Sequence, residues 1–145
     1  VLRIATSGRP LSGGRCAIAA VLRWQDTGEA KTVLRRLRRG AASSAPYRAM
    51  LLGLSEARRM GARAVRLGTT DADAAAALSG GLDPPPEALG LYLQARALLN
   101  GFRSADVRVI DPSADADAAA AAVAAETAGT AAPAVYADLP LWAAS

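Results

Sequence analysis

Apolar and polar positions alternate along this chain with two distinct periods. Tyr47, Met50, Leu51, Leu54 and Ala57 recur at i, i+3, i+4, i+7 and i+10, which is one face of an amphipathic helix. Ser43 or Ser44 can cap its start, and Pro46 is tolerated only in a first turn. Arg58 and Arg59 place cations at its negative pole, and Gly61 lies just beyond. Upstream, the pattern predicts strands over residues 1–5, 17–24 and 31–39, separated by turns rich in Gly, Ser, Asp and Thr. Residues 17–24 are almost continuously apolar, as in a strand buried on both faces.

Downstream of the helix come a short strand over 64–67, a polar turn at Gly68-Thr69-Thr70-Asp71, and a helix over 71–78. Asp83-Pro84-Pro85-Pro86 is a stiff connector, because each proline pushes its predecessor out of the helical region. A helix over 87–100 follows, with Leu89, Leu93 and Leu99 as inward residues, then a strand over 105–110 and an alanine-rich helix over 115–126. The expected organisation is one domain, residues 1–127, with a tail over 128–145. Val135, Tyr136, Leu139, Leu141 and Trp142 make that tail too apolar for solvent, so it is expected to dock on its own domain or on a neighbouring subunit as a homodimer.

The sequence of the central stretch carries a resemblance. Ala45-x-Tyr47-x-Ala49-Met50-Leu51-x-Gly53-Leu54, followed by Ala57, Gly61 and a strand, resembles type I ribonuclease H in its short bacterial and archaeal, reverse-transcriptase-like branch. The likeness extends over roughly residues 1–125 and implies an α/β fold of ribonuclease H type: a mixed five-stranded sheet, three antiparallel strands then parallel ones, flanked by helices. It also implies a metal-dependent nuclease centre, in which clustered carboxylates hold two divalent ions about 4 Å apart. Carried onto this chain, Thr6 stands at the first acidic position, Pro46 at the second and Thr70 at the third; only the last retains an acid, Asp117 or its neighbour Asp115. Ala42 and Ser43 replace the two-asparagine turn that contacts the nucleic-acid strand. Hydroxyls and a proline ring do not supply the charge that dehydrates Mg²⁺, and Glu56, ten residues beyond Pro46, is too far along the helix to substitute. The expectation is a domain without catalysis or cofactor that binds nucleic acid or assembles with a protein. Two alternatives stand beside it: a divergent Mg²⁺-dependent ribonuclease that uses Asp71, Asp115 and Asp117 on RNA–DNA hybrids, and a structural oligomerisation subunit. The better reading of Asp71, Asp115 and Asp117 is as acids at helix N-termini, where the dipole favours them.

Charge sharpens the binding expectation. Residues 1–69 carry 14 Lys/Arg against 3 Asp/Glu, and residues 70–145 carry 3 against 10. Such asymmetry suits a basic face for nucleic acid or an acidic protein surface, or two halves attracting each other within one fold. Arg9, Arg15, Arg35, Arg36, Arg38 and Arg39 are the candidate phosphate contacts, although arginines along a strand also serve as a solvated edge. Trp24 and Tyr47 occupy core or hairpin positions and offer no stacking platform. With no histidine, His-based triads and His-ligated zinc are excluded. Cys16 excludes an internal disulfide, suits a reducing cytoplasm and reads as a small residue facing the core. Ser12-Gly13-Gly14-Arg15 lacks the lysine of a phosphate-binding loop. No membrane span or signal peptide is expected.

Overall fold

The structure, a computed structural model, describes residues 1–38 and 42–130. Five strands form one sheet in the order β3-β2-β1-β4-β5. The first three, β1 (Leu2–Pro10), β2 (Cys16–Trp24) and β3 (Ala30–Leu37), are an antiparallel meander. β4 (Ala64–Thr69) runs parallel to β1, and β5 (Ser104–Val109) parallel to β4. The helices α1 (Ala45–Arg59), α2 (Ala72–Leu78) and α3 (Leu89–Asn100) share the main core on one face of the sheet. The last helix, α4 (Ala116–Thr130), lies on the other face, where Ala121 packs with Ala5 and Val21. This is the mixed sheet implied by the resemblance.

The main core follows the strand alternation. Leu2 and Ile4 on β1, Cys16, Ile18, Ala20 and Leu22 on β2, and Val65 and Leu67 on β4 meet Met50, Leu51 and Leu54 of α1. Burying each large aliphatic side chain stabilises by about 1.5–3 kcal/mol. Cys16 is fully buried, as expected, and burial pushes its thiol pKa up. Gly61 takes φ +78° one residue after the α1 cap Met60, a conformation that suits glycine. No described helix is long and apolar enough to cross a membrane.

Several elements differ from the pattern reading, β4 among them, which runs on through Gly68 to Thr69. β1 continues to Pro10, because Thr6, Ser7, Gly8 and Arg9 pair in register with Ala20, Ala19, Ile18 and Ala17; the cross-strand ladder overrides their polar, turn-like character. α3 starts at Leu89, after a 3₁₀ turn over Pro86–Ala88, which shifts its phase. Leu91, Ala95 and Leu99 are therefore its buried stripe, while Leu89 and Leu93 are exposed. Ser44 occupies the α1 N-cap position but makes no side-chain cap bond; its hydroxyl instead accepts from Arg48 Nε at 3.3 Å. Finally, α4 extends past the expected end to Thr130. The apolar residues assigned to a docking tail, from Val135 to Trp142, lie outside the described residues.

The inner face of α4 consists of Ala118, Ala121, Ala125 and Ala128, all fully buried. Small side chains allow this helix to lie close over β1, β2 and β3 at native packing density. Ala121→Leu is expected to destabilise by about 1–3 kcal/mol through overpacking. Ala120→Leu, on the exposed side, is expected to leave the urea midpoint almost unchanged; equal effects of the two substitutions contradict this placement of α4.

Candidate functional site

Thr6 and Thr70 lie close at the end of the β1–β4 pair, while Pro46 opens α1 over Gly8, two residues further along β1. Thr6 lies beside Thr69 in the parallel pair. It is fully buried, and its hydroxyl donates to the Gly68 carbonyl at 2.8 Å. Pro46, buried, is the second residue of α1. The chain beneath it passes so close that a Cβ on Gly8 would stand 2.3 Å from the Ala45 carbonyl oxygen and 3.1 Å from Pro46 N. Thr70 is half-buried and leads into Asp71, the N-cap of α2. The Asp71 carboxylate accepts from Ala74 N at 2.8 Å, and Thr69 Oγ1 accepts from Asp71 N at 3.2 Å. Asp71 therefore satisfies an orphan helix donor.

Asp117 is elsewhere. Thr6 faces α1, since a Cβ on Gly53 would approach its methyl to 3.2 Å, whereas Asp117 descends from α4 on the opposite face. There the Arg23 guanidinium grips it through two bonds of 2.9 Å, from Nε to Oδ2 and from Nη2 to Oδ1. Such a fork matches a carboxylate geometrically. Arg23 Nη1 also donates to the Gly28 carbonyl at 2.8 Å, tying the β2–β3 turn to the same pair. The Asp117 partner raises the Arg23 pKa above its ordinary value, first through the hydrogen bond and then through charge. Arg3, directly opposite Arg23 on β1, bonds Asp115 at 3.2 Å, while the other Asp115 oxygen caps Ala118 N at 3.0 Å. Two neighbouring arginines on the sheet thus meet two aspartates at i and i+2 of a helix start. Sequence reasoning overlooked both arginines; the signal was Arg23 within an otherwise apolar strand.

A two-ion centre requires several carboxylate oxygens around one point. Thr6, Pro46 and Thr70 offer two hydroxyls and a proline ring, and the nearby acids lie on two faces of the sheet. Among the described residues, no three His, Cys, Asp or Glu side chains come together to hold a metal. The residues present do not fit a two-Mg²⁺ site.

The candidate basic contacts are only partly gathered. Arg9 and Arg36 both oppose Ala17 across neighbouring strands, on the α4 face. Arg15 leads into β2, its Nε donating to the Ser12 carbonyl at 3.2 Å, and exposed Arg38 follows the last residue of β3 at the same end. Arg35 opposes Ile18 and so belongs to the other face, where its guanidinium donates to the Leu34 carbonyl at 2.7 Å. Arg39 lies outside the described residues. Tyr47 is buried and Trp24 half-buried against the core, as expected of residues that are not stacking platforms.

The fold has solved counterparts. The N-terminal RNase H domain of a Mycobacterium tuberculosis protein, solved as a fusion with maltose-binding protein, superposes with a TM-score of 0.79 at 24% identity, over 88% of this chain and 92% of that one. RNase H1 from the halophilic archaeon Halobacterium salinarum gives 0.74 at 22% identity, over 87% and 96%. LC11-RNase H1, solved in complex with an RNA/DNA hybrid, gives 0.74 at 14% identity, over 88% and 99%. No protein-family model and no curated protein matches the sequence. At these identities the likeness defines the fold alone: this chain has a ribonuclease H-like fold.

Two outcomes follow from the side chains at these positions. Asp117→Asn leaves the Arg23 fork facing a neutral amide and is expected to lower the melting temperature more than Asp115→Asn, whose pair is more exposed; equal melting temperatures would show the fork to be incidental. The Tyr47 pKa is raised above 10.0, first by burial and then by the charges of Asp71, Asp73 and Tyr92. A raised folded pKa contributes stability that is fully present below the unfolded value and lost as pH rises through the folded one. Above about pH 10, Tyr47→Phe is therefore expected to retain more of its neutral-pH stability than the parent chain, measured by urea unfolding across pH.

Proposed function

We propose that this domain binds nucleic acid without cleaving it, through the basic end of the β1–β2–β3 meander. The observation that carries the reading is the end of the sheet itself. Where the resemblance implies carboxylates, a buried threonine hydroxyl is bonded to the Gly68 carbonyl, a proline closes the helix start, and the neighbouring Asp71 caps α2. Asp117, the remaining acid, is held by Arg23 on the far face. These side chains have structural partners and supply no clustered negative charge.

Binding is supported from two directions. The like-folded LC11-RNase H1 was solved with an RNA/DNA hybrid. In this chain Arg9, Arg15, Arg36 and Arg38 gather at one end of the meander, where guanidinium groups suit phosphate oxygens. Contacts of that kind fix a backbone without reading sequence, so the ligand class is a nucleic-acid strand or hybrid recognised by charge and shape.

The test uses a fluorescent RNA–DNA hybrid with purified protein in Mg²⁺ or Mn²⁺. The hybrid is expected to be bound and to remain intact, with affinity falling steeply as salt rises. Replacing Arg9 and Arg15 together by Gln is expected to flatten the logarithmic salt slope by about 1.4–1.8, two phosphate contacts' worth. Metal-dependent turnover that disappears on Asp71→Asn or Asp117→Asn overturns the non-cleaving reading. Absence of binding at low salt, or affinity indifferent to salt, overturns the nucleic-acid reading and points to an acidic protein surface.

A further inference from the structure

β5 closes one edge of the sheet, and its outer side meets no strand among the described residues. Its ladder to β4 fixes which backbone groups point outward. Ser104 N–H and Ile110 N–H both reach toward β4, to the Arg63 and Thr69 carbonyls. In a parallel pair the N–H and C=O of one residue point the same way and alternate along the strand. Residues 104, 106, 108 and 110 therefore bond inward, while Ala105, Val107 and Val109 present their N–H and C=O to the outside. Ala105 and Val109 are exposed, Val109 by 54%, although they lie on the face that carries α2 and α3. Those helices leave the edge accessible.

An exposed edge is normally blunted by proline, lysine, a bulge or a covering element. β5 has neither proline nor lysine. Its two charges are of opposite sign at i and i+2: Asp106 and Arg108, 51% and 54% exposed, bonded to each other at 3.2 Å. Like charges on an edge would repel a second copy. This arrangement does the reverse about a two-fold axis through Val107. In antiparallel pairing Val107 faces itself as a hydrogen-bonded pair, and Asp106 of each copy faces Arg108 of the other. The latter are non-hydrogen-bonded pairs, the closer kind, with Cα atoms about 4.5 Å apart. Ala105 meets Val109 on the opposite face, again in both directions. An isologous interface needs this self-complementarity, and cross-strand pairs of these types are favourable.

We infer that β5 is a self-association edge, through which two copies join their sheets antiparallel about Val107 into one continuous ten-strand sheet. Strands of six residues bury little area, so the dimer is weak and concentration-dependent. The inference is independent of nucleic-acid binding, since the basic end of the meander lies toward the other edge of the sheet.

The test is charge exchange read by sedimentation equilibrium over a concentration series extending to near-millimolar protein. The parent chain is expected to shift from monomer to dimer. Asp106→Arg and Arg108→Asp each place like charges across the axis and are expected to remain monomeric. Mixed in equal amounts, the two variants place two arginines opposite two aspartates, and the dimer mass is expected to return. Val107→Pro removes an outward N–H while sparing the inner ladder and is expected to give a folded monomer, with circular dichroism melts verifying the fold of each variant. A parent chain that stays monomeric throughout overturns the proposal. So do a dimer that survives Val107→Pro and a variant mixture that stays monomeric.

Discussion

The close approach of α1 to the sheet is the constraint on which the rest of the structure depends. A Cβ on Gly8 would meet the Ala45 carbonyl at 2.3 Å, and one on Gly53 would meet Ile4 Cγ2 at 2.6 Å. Only hydrogen fits at both points, so α1 lies against β1 at its first residue and again at mid-length. Thr6 and Pro46 are both buried along this contact. It leaves the Thr6 hydroxyl with a backbone carbonyl as its partner, since an unpaired hydroxyl in such a place costs about 1–3 kcal/mol. The packing that organises the fold thus also determines what its end can do chemically.

The opposite face is built differently and accounts for the separation of the acids. α4 offers mainly alanines to the sheet, so its position is set by small-residue packing and by polar anchors at its start. Arg3 and Arg23, side by side on β1 and β2, hold Asp115 and Asp117. The anchors fix where the helix begins and hold both carboxylates on the α4 face, so that Asp71 and Asp73 are the acids left on the side of Thr70. Charge in this domain is consequently partitioned: carboxylates serve as helix caps and arginine partners, while Arg9, Arg15, Arg36 and Arg38 gather at the end of the meander.

Legibility in the sequence followed the strength of periodic signals. The α1 stripe, the buried apolar β2 and the glycine turn after α1 were readable because each carries a pattern matched to one conformation. α3 is a helix as the pattern predicts, but of the expected inward residues Leu89, Leu93 and Leu99 only Leu99 is buried; five closely spaced leucines fit several phases, and the 3₁₀ turn at Pro86–Ala88 selected Leu91 and Ala95. The arginines of β3 read as one strip because sequence adjacency hides the alternation that sends Arg35 and Arg36 to opposite faces. The Asp117–Arg23 pair spans 94 positions, a distance over which composition carries no register. A helix nearly all alanine likewise gives no moment from which to orient it.

We propose that the sheet end under α1 holds no divalent metal ion. Paramagnetic broadening of backbone amides on titration with Mn²⁺ tests it most directly, because the effect reports proximity to the ion whether or not any reaction occurs. The account predicts no shared, saturable broadening of Thr6, Tyr47, Thr70 and Asp71 at low Mn²⁺. Saturable broadening of those amides together with Asp117, abolished by Asp117→Asn, would contradict it.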